Sequence, residues 1–320
     1  MFVYISFTLA AIFVVFAAIK LNEYGDQISR QTAMSGAMVG GLLIAGATSL
    51  PELTTSVTAV YIDNVDIAVG NMLGSNVFNL LILASVDLYY RKKKAFNVIE
   101  PNSHLTPIIF GVILTTTVII AMVLNLGFSI FNIGFEMYIL VALYIVSVKL
   151  FESEEPEEQV EQKADVTPIH KVIRYFIYSA IAVLLAGSVL SISGDLLAAQ
   201  TGINSSFVGS VLIAASTSLP ELVAVIAAYK IGNYAIAIGS ILGSNLFNLL
   251  LLAFTDAFYQ QGPILQGVSF SMMIIASLSL VMMLITLYML MRKRTYSTIL
   301  YVVPSIIIIS IYCSVSYMIF

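Results

Sequence analysis

The chain is predicted to be an all-α integral membrane protein of ten transmembrane helices, arranged as two five-helix repeats of inverted topology. Three observations carry this prediction. Of 320 residues, 59% are hydrophobic and only 10% charged, and the mean hydropathy of +0.98 is far too apolar for a soluble domain. One pattern occurs twice: GATSLPEL from Gly46 with GNMLGSNVFNLL from Gly70, and AASTSLPEL from Ala214 with GSILGSNLFNLL from Gly239. Thr48 and Thr217, Glu52 and Glu221, Ser75 and Ser244, Asn79 and Asn248 are all 169 positions apart, and the register runs without a gap from Gly25-Asp26 to Asp87. Finally, every Lys and Arg sorts to one side once ten spans are drawn.

Taken in order, apolar runs of about 20 residues, enough to cross a bilayer, lie near 2–20, 33–60, 65–88, 104–125, 128–149, 171–194, 203–229, 234–259, 265–291 and 297–319. Spans two, three, seven and eight are longer than a bilayer requires and contain Gly, Pro or Ser-Asn interruptions. Broken helices are tolerated at membrane depth only where they line a protein cavity or a water path, so these four spans are expected to form the core. The repeats are assigned to residues 1–150 and 171–320, joined by a linker at 151–170. Within the linker, Phe151–Asp165 carries seven acids and one base, a solvated segment without the ligand spacing of a calcium loop.

With the N-terminus outside, the inside segments hold Lys20 and Arg30; Arg91 to Lys94; Lys149, Lys163, Lys171 and Arg174; Lys230; and Arg292 to Arg294, which together are all 14 basic residues. The outside loops carry acids such as Asp63, Asp66, Asp195 and Asp256. Both termini are thus expected outside a cell membrane and the acidic linker in the cytoplasm. Five is odd, so the second copy enters the membrane from the opposite side. The single Cys313 lies in the last apolar run and excludes an internal disulfide framework.

Glu52 and Glu221 lie deep in apolar spans that hold no Lys or Arg to pair with them. A carboxylate there is costly unless paired, hydrated or bound to a cation. A protonated Glu hydrogen-bonded within the bundle would account for one such residue. It accounts poorly for two at equivalent places, which a pseudo-twofold axis would bring together. The neighbours are oxygen donors: Thr48 four residues before Glu52, and Ser75–Asn79 and Ser244–Asn248 four apart on one face. Pro51 and Pro220 lack an N–H, which frees the carbonyls of Ala47 and Ser216. The absence of His and Cys from this set disfavours Zn²⁺ or Cu⁺ and suits a hard cation such as Ca²⁺ or Na⁺.

The paired TSLPE motifs, each followed by G-S-N-x-F-N, resemble the two alpha repeats of the calcium:cation antiporter superfamily, and within it prokaryotic sodium/calcium exchangers. The resemblance covers essentially the whole chain. It implies an antiporter that exchanges Ca²⁺ for Na⁺ by alternating access, with spans one and six as the gating pair. It further implies a cation site of Thr48, Ser49, Glu52, Ser75 and Asn79 with Thr217, Ser218, Glu221, Ser244 and Asn248, completed by backbone carbonyls near Ala45 and Ala214. The chain departs from the pattern in one place. Such exchangers commonly carry Asn in one repeat and Asp in the other at the last position, whereas Asn79 and Asn248 are both Asn. A site with two acids is neutralised by one Ca²⁺, two Na⁺ or two H⁺, so a Ca²⁺/H⁺ exchanger is the alternative. A cation channel would not need duplicated inverted halves. An intramembrane enzyme lacks a nucleophile with a base or a catalytic Asp pair. No organic cofactor or nucleic-acid partner is implied, and a monomer in the lipid bilayer is expected to suffice.

Overall fold

The computed structural model describes residues 2–31, 46–125, 127–151 and 168–320. Ala45, the first part of span two and most of the acidic linker lie outside the described residues. The described chain is helical apart from one short hairpin: α1 (Phe2–Gln31), α2 (Leu50–Tyr61), α3 (Val65–Tyr89), α4 (Asn102–Leu124), α5 (Phe135–Phe151), α6 (Ile169–Thr201), α7 (Ser205–Thr217), α8 (Leu219–Ile231), α9 (Tyr234–Phe258), α10 (Phe270–Met291) and α11 (Thr298–Ile319). Among the described residues, α1, α3, α4, α6, α9, α10 and α11 are long and apolar enough to cross a membrane, and α7 with α8 forms an eighth such unit bent by 44°.

Repeated sequence gives repeated local structure. α3 and α9 begin and end 169 positions apart, and each is capped by an Asn, Asn64 or Asn233, whose side-chain oxygen accepts from the backbone N–H of Ile67 or Ile236. α2 and α8 each start after a Ser with nearly the same backbone angles, Ser49 (φ −97, ψ 9) and Ser218 (φ −90, ψ 3), and place a proline in the first turn. The break before α8 follows a six-residue π-helical stretch, Val208–Ile213.

Three predicted boundaries move most. α6 runs to Thr201 rather than 194. α1 runs to Gln31 rather than 20, its polar extension carrying the Lys20–Glu23 ion pair at 2.6 Å. The fifth span begins at Phe135 rather than 128, because Ser129–Ile130 and Ile133–Gly134 pair as a hairpin whose turn residues Phe131 and Asn132 adopt positive φ. The buried Asp256 carboxylate holds this hairpin by accepting from the Gly134 N–H at 2.8 Å.

α3 is the most enclosed helix: 89% of its most apolar stretch is buried, against 61% for α9 and 28% for both α1 and α6. The main core packs α3 against α9, α10 and α11. α1 and α6 lie along each other as a peripheral layer with a small separate cluster of Ala17, Ala18, Leu21, Ala47 and Val183. Their outer faces, including Phe13, Phe16, Leu185 and Val189, are exposed as a lipid-facing surface requires. Among the described residues, α6 is tied to the core by Thr58 Oγ1 with Ser188 Oγ at 3.0 Å and by Asn64 Nδ2 donating to Asp195 Oδ1 at 2.7 Å.

The charged segments fall at opposite ends. Lys94 donates to the Thr295 and Tyr296 carbonyls, so the basic segments 91–94 and 292–294 adjoin one another. Beside them the buried Asp87 accepts from Tyr301 Oη at 2.6 Å and from Ser305 Oγ, and the Arg292 guanidinium lies 4.7 Å from the Tyr301 ring. At the other end, Asp66 accepts from the Ser269 N–H and from Ser206 Oγ, and Asp63 accepts from Gln261. The end where α3 starts is therefore the end where α9 finishes.

Gly74 fixes the closest helix approach. A Cβ there would lie 2.2 Å from the Ser210 carbonyl oxygen and 2.5 Å from its Cα, whereas one at Gly70 would meet the Ser210 nitrogen at 3.2 Å. Gly74→Ala is expected to push α3 off α7 and lower stability by about 1–3 kcal/mol, as overpacking does, with Gly70→Ala the milder change. Thermal unfolding of the purified protein in detergent checks the order, and an unchanged midpoint for Gly74→Ala would refute the close approach.

Candidate cation-binding site

The two TSLPE motifs meet in the middle of the bundle. Glu52 and Glu221, in the first turns of α2 and α8, are 1% and 2% exposed. Ser218 Oγ, three residues before Glu221, donates to Glu52 Oε1 at 3.5 Å, and the two carboxylates lie within electrostatic reach of each other. Both sit where a helix N-terminus favours negative charge.

Thr48, Ser49, Ser75, Asn79, Thr217, Ser218, Ser244 and Asn248 are all buried. Ser75 Oγ lies 3.5 Å from Thr217 Oγ1, which links α3 to the break between α7 and α8. The Ala214 carbonyl is already occupied: it accepts from Thr217 Oγ1 at 3.2 Å and from the Ser218 N–H at 3.0 Å. To ligate a cation it would have to release the Thr217 hydroxyl.

Several buried oxygens are left over. Among the described residues, Glu52 Oε2, Glu221 Oε2, Asn79 Oδ1, Asn248 Oδ1 and Ser49 Oγ have no hydrogen-bond partner. Four of the five form repeat-related pairs. A buried acceptor without a donor costs roughly 1–3 kcal/mol, more if charged, and a cation relieves that cost. Among the described residues no three His, Cys, Asp or Glu side chains cluster. A metal here would therefore be held by two carboxylates with amide, hydroxyl and carbonyl oxygens, a hard donor set suited to Ca²⁺ or Na⁺.

Three further asparagines, not singled out from the sequence, organise the site. Asn71 Nδ2 donates to the Glu52 carbonyl at 3.0 Å and lies 2.6 Å from Thr55 Oγ1 and 3.0 Å from Ser56 Oγ, while its Oδ1 lies 3.3 Å from Thr217 Oγ1, a second acceptor within reach of that hydroxyl's one proton. Asn76 Nδ2 donates to the Asn245 carbonyl at 3.2 Å, and Asn245 Nδ2 donates to the Asn76 carbonyl at 3.1 Å. Asn79 Nδ2 donates to Asn245 Oδ1 at 3.0 Å, and Asn248 Nδ2 donates to Asn76 Oδ1 at 3.1 Å. Asn76 and Asn245 stand 169 positions apart inside the repeated G-S-N-x-F-N segment, and that repetition was the available signal. Asn71 had none, since Ser240 occupies its repeat position.

Fold and site together are those of a polytopic membrane protein built to handle cations. The particular family follows from sequence comparison: the profile of the sodium/calcium exchanger protein family matches residues 2–151 and 171–320, and the chain belongs to that family. It is a family of exchangers of Ca²⁺ and other cations, a transporter class. The putative antiporter CaxA of Alkalimonas amylolytica is 28% identical over 231 residues, 71% of this chain and 72% of its own length. The sodium/calcium exchanger MaX1 of Methanosarcina acetivorans is 21% identical over 318 residues, 86% of this chain and 89% of that one. Among solved structures, the H⁺/Ca²⁺ exchanger CAX aligns with a TM-score of 0.68 at 13% identity, covering 99% of this chain and 88% of its own. The sodium-calcium exchanger NCX_Mj aligns at 0.59 and 19% identity, covering 97% and 98%. At these identities the two structures establish a common fold.

Replacing either carboxylate tests the site. Glu52→Gln and Glu221→Gln each remove a charge and a bidentate ligand, and Ca²⁺ affinity is expected to fall at least tenfold, about 1.4 kcal/mol, while the protein stays folded. Calorimetric Ca²⁺ titration read beside thermal unfolding checks this; unchanged affinity in either variant would remove that Glu from the site.

Proposed function

We propose that the protein is a secondary active antiporter that exchanges Ca²⁺ for Na⁺ across the membrane by alternating access, working as a monomer on two inverted halves. The observation that carries this reading is the repeat-related set of buried, unpartnered oxygens on Glu52, Glu221, Asn79 and Asn248. In this reading Ca²⁺ sits between the two carboxylates. Thr48, Ser49, Ser75, Thr217, Ser218 and Ser244, with carbonyls near Ala45 and Ala214, supply the remaining ligands for Ca²⁺ and Na⁺. The relative named as a sodium/calcium exchanger supports sodium as the coupling ion.

Access would alternate by movement of the α1–α6 layer across the core. The small separate cluster between the two helices supports that assignment. The opposed ends of α3 and α9 support inverted halves, and the segregation of basic and acidic segments supports termini outside with the linker in the cytoplasm.

Charge counting constrains the stoichiometry. Two carboxylates balance one Ca²⁺, two Na⁺ or two H⁺. A third Na⁺ would leave an excess positive charge in a poorly hydrated interior, and neither Asn79 nor Asn248 can offset it. The same pair of Asn residues favours the second reading, Ca²⁺/H⁺ exchange on the same site. Exchange is accordingly expected to be electroneutral. ⁴⁵Ca²⁺ uptake into proteoliposomes under an imposed Na⁺ or H⁺ gradient, with current recorded under voltage clamp, checks both points. Uptake that follows the Na⁺ gradient without net current is the expected result. Uptake driven by H⁺ alone would replace sodium with protons, and a robust Na⁺-dependent current would overturn the two-ion count.

A further inference from the structure

An asparagine side chain can turn either an oxygen or an NH₂ group toward a neighbour, and only the oxygen ligates a cation. Asn79 and Asn248 therefore serve a cation site only if something fixes which way their amides face. We infer that Asn76 and Asn245 are positioning residues that set this orientation, an assignment that rests on the cation site proposed above.

The hydrogen bonds admit one consistent arrangement. It starts from two backbone carbonyls, which can only accept. The Asn245 carbonyl takes the Asn76 Nδ2 group at 3.2 Å, and the Asn76 carbonyl takes the Asn245 Nδ2 group at 3.1 Å. Each amide is thereby oriented, with its Oδ1 turned away from the carbonyl it serves. Those two oxygens in turn require donors. Asn76 Oδ1 receives Asn248 Nδ2 at 3.1 Å, and Asn245 Oδ1 receives Asn79 Nδ2 at 3.0 Å. With their NH₂ groups committed, Asn248 and Asn79 must direct Oδ1 the other way, and among the described residues these two oxygens have no hydrogen-bond partner. A flipped Asn248 would instead set its oxygen against Asn76 Oδ1 and offer N–H groups to a cation.

The device is built twice from the same segment. Asn76 and Asn245, like Asn79 and Asn248, are related by 169 positions, and all four are at most 1% exposed. Asp at position 76 or 245 would set a carboxylate against the partner's carbonyl oxygen, and a hydroxyl would be too short to serve both neighbours. The pair thus lets a neutral amide act as a dedicated oxygen ligand. A carboxylate presents oxygen in either orientation and needs no such control.

That difference gives the test. Calorimetric Ca²⁺ titration of the full-length protein compares the unmodified chain with Asn76→Ala, Asn245→Ala, Asn248→Asp, Asn79→Asp and the doubles Asn76→Ala/Asn248→Asp and Asn245→Ala/Asn79→Asp. Each alanine variant is expected to weaken Ca²⁺ binding roughly tenfold, because the released amide then samples both orientations. Each double variant is expected to recover to within about threefold of the unmodified affinity, although the alanine is still present. Asp alone should gain less than in its double, since its carboxylate then faces the Oδ1 of Asn76 or Asn245. Should Asn76→Ala fail to fold, Asn245→Ala with its own double tests the same device in the other half. Alanine variants that bind like the unmodified protein overturn the inference. So do doubles that stay as weak as the single alanine variants with lowered unfolding midpoints, the result expected of a purely structural brace. Loss of binding in Glu52→Gln alongside unaffected alanine variants discards the positioning role and keeps the cation site, whereas retained binding in Glu52→Gln and Glu221→Gln discards both.

Discussion

Two carboxylates inside an apolar bundle are the constraint on which the rest of this structure depends. Placing one acidic side chain at the centre of a membrane helix costs about 3 kcal/mol on insertion scales, and here Glu52 and Glu221 are both buried and near each other. The Lys20–Glu23 ion pair of α1 involves neither of them. Compensation has to come from the backbone and from neutral polar groups. The helix breaks at Ser49 and Ser218 supply it in part by setting each Glu in the first turn of a half-helix. What the backbone leaves unmet, the proposed cation would meet.

Holding such a site together requires close helices and few loose polar groups. Gly74 brings α3 against the α7 backbone, and the reciprocal Asn76–Asn245 bonds tie α3 to α9 at mid-length. These contacts join the inner helices, while α1 and α6 share a small cluster of their own and also reach the main core through Val14 and Leu190.

Much of this was legible in the sequence, and the reason lies in the kind of signal each feature leaves. Apolar runs mark α3, α4, α9, α10 and α11 within a few residues because burial in lipid constrains every position of a span. The 169-residue register foretold that α2 matches α8 and α3 matches α9, since a duplicated motif carries its caps and prolines with it. The hairpin before α5 was not foreseen: Phe128 to Gly134 is apolar enough to read as helix, and the alternative draws on the distant Asp256. The same holds for Asp87 with Tyr301, or Asp66 with Ser269, partners more than 200 positions apart with no local pattern between them. The roles of Asn76 and Asn245 depend on which atom of an amide faces which neighbour, and that is visible only in three dimensions.

The Asn71 belt sets the two halves apart. Asn71 bonds both Thr55 and Ser56 next to Glu52, while Ser240, Ala224 and Val225 occupy the matching sequence positions in the second half. On the proposed inverted arrangement, a chain of two identical halves would have its two facing states related by symmetry and therefore equal in free energy. Beside Glu52 stands a polar scaffold that the matching residues near Glu221 do not repeat, so in the proposed exchanger the two facing states are not required by symmetry to be equal.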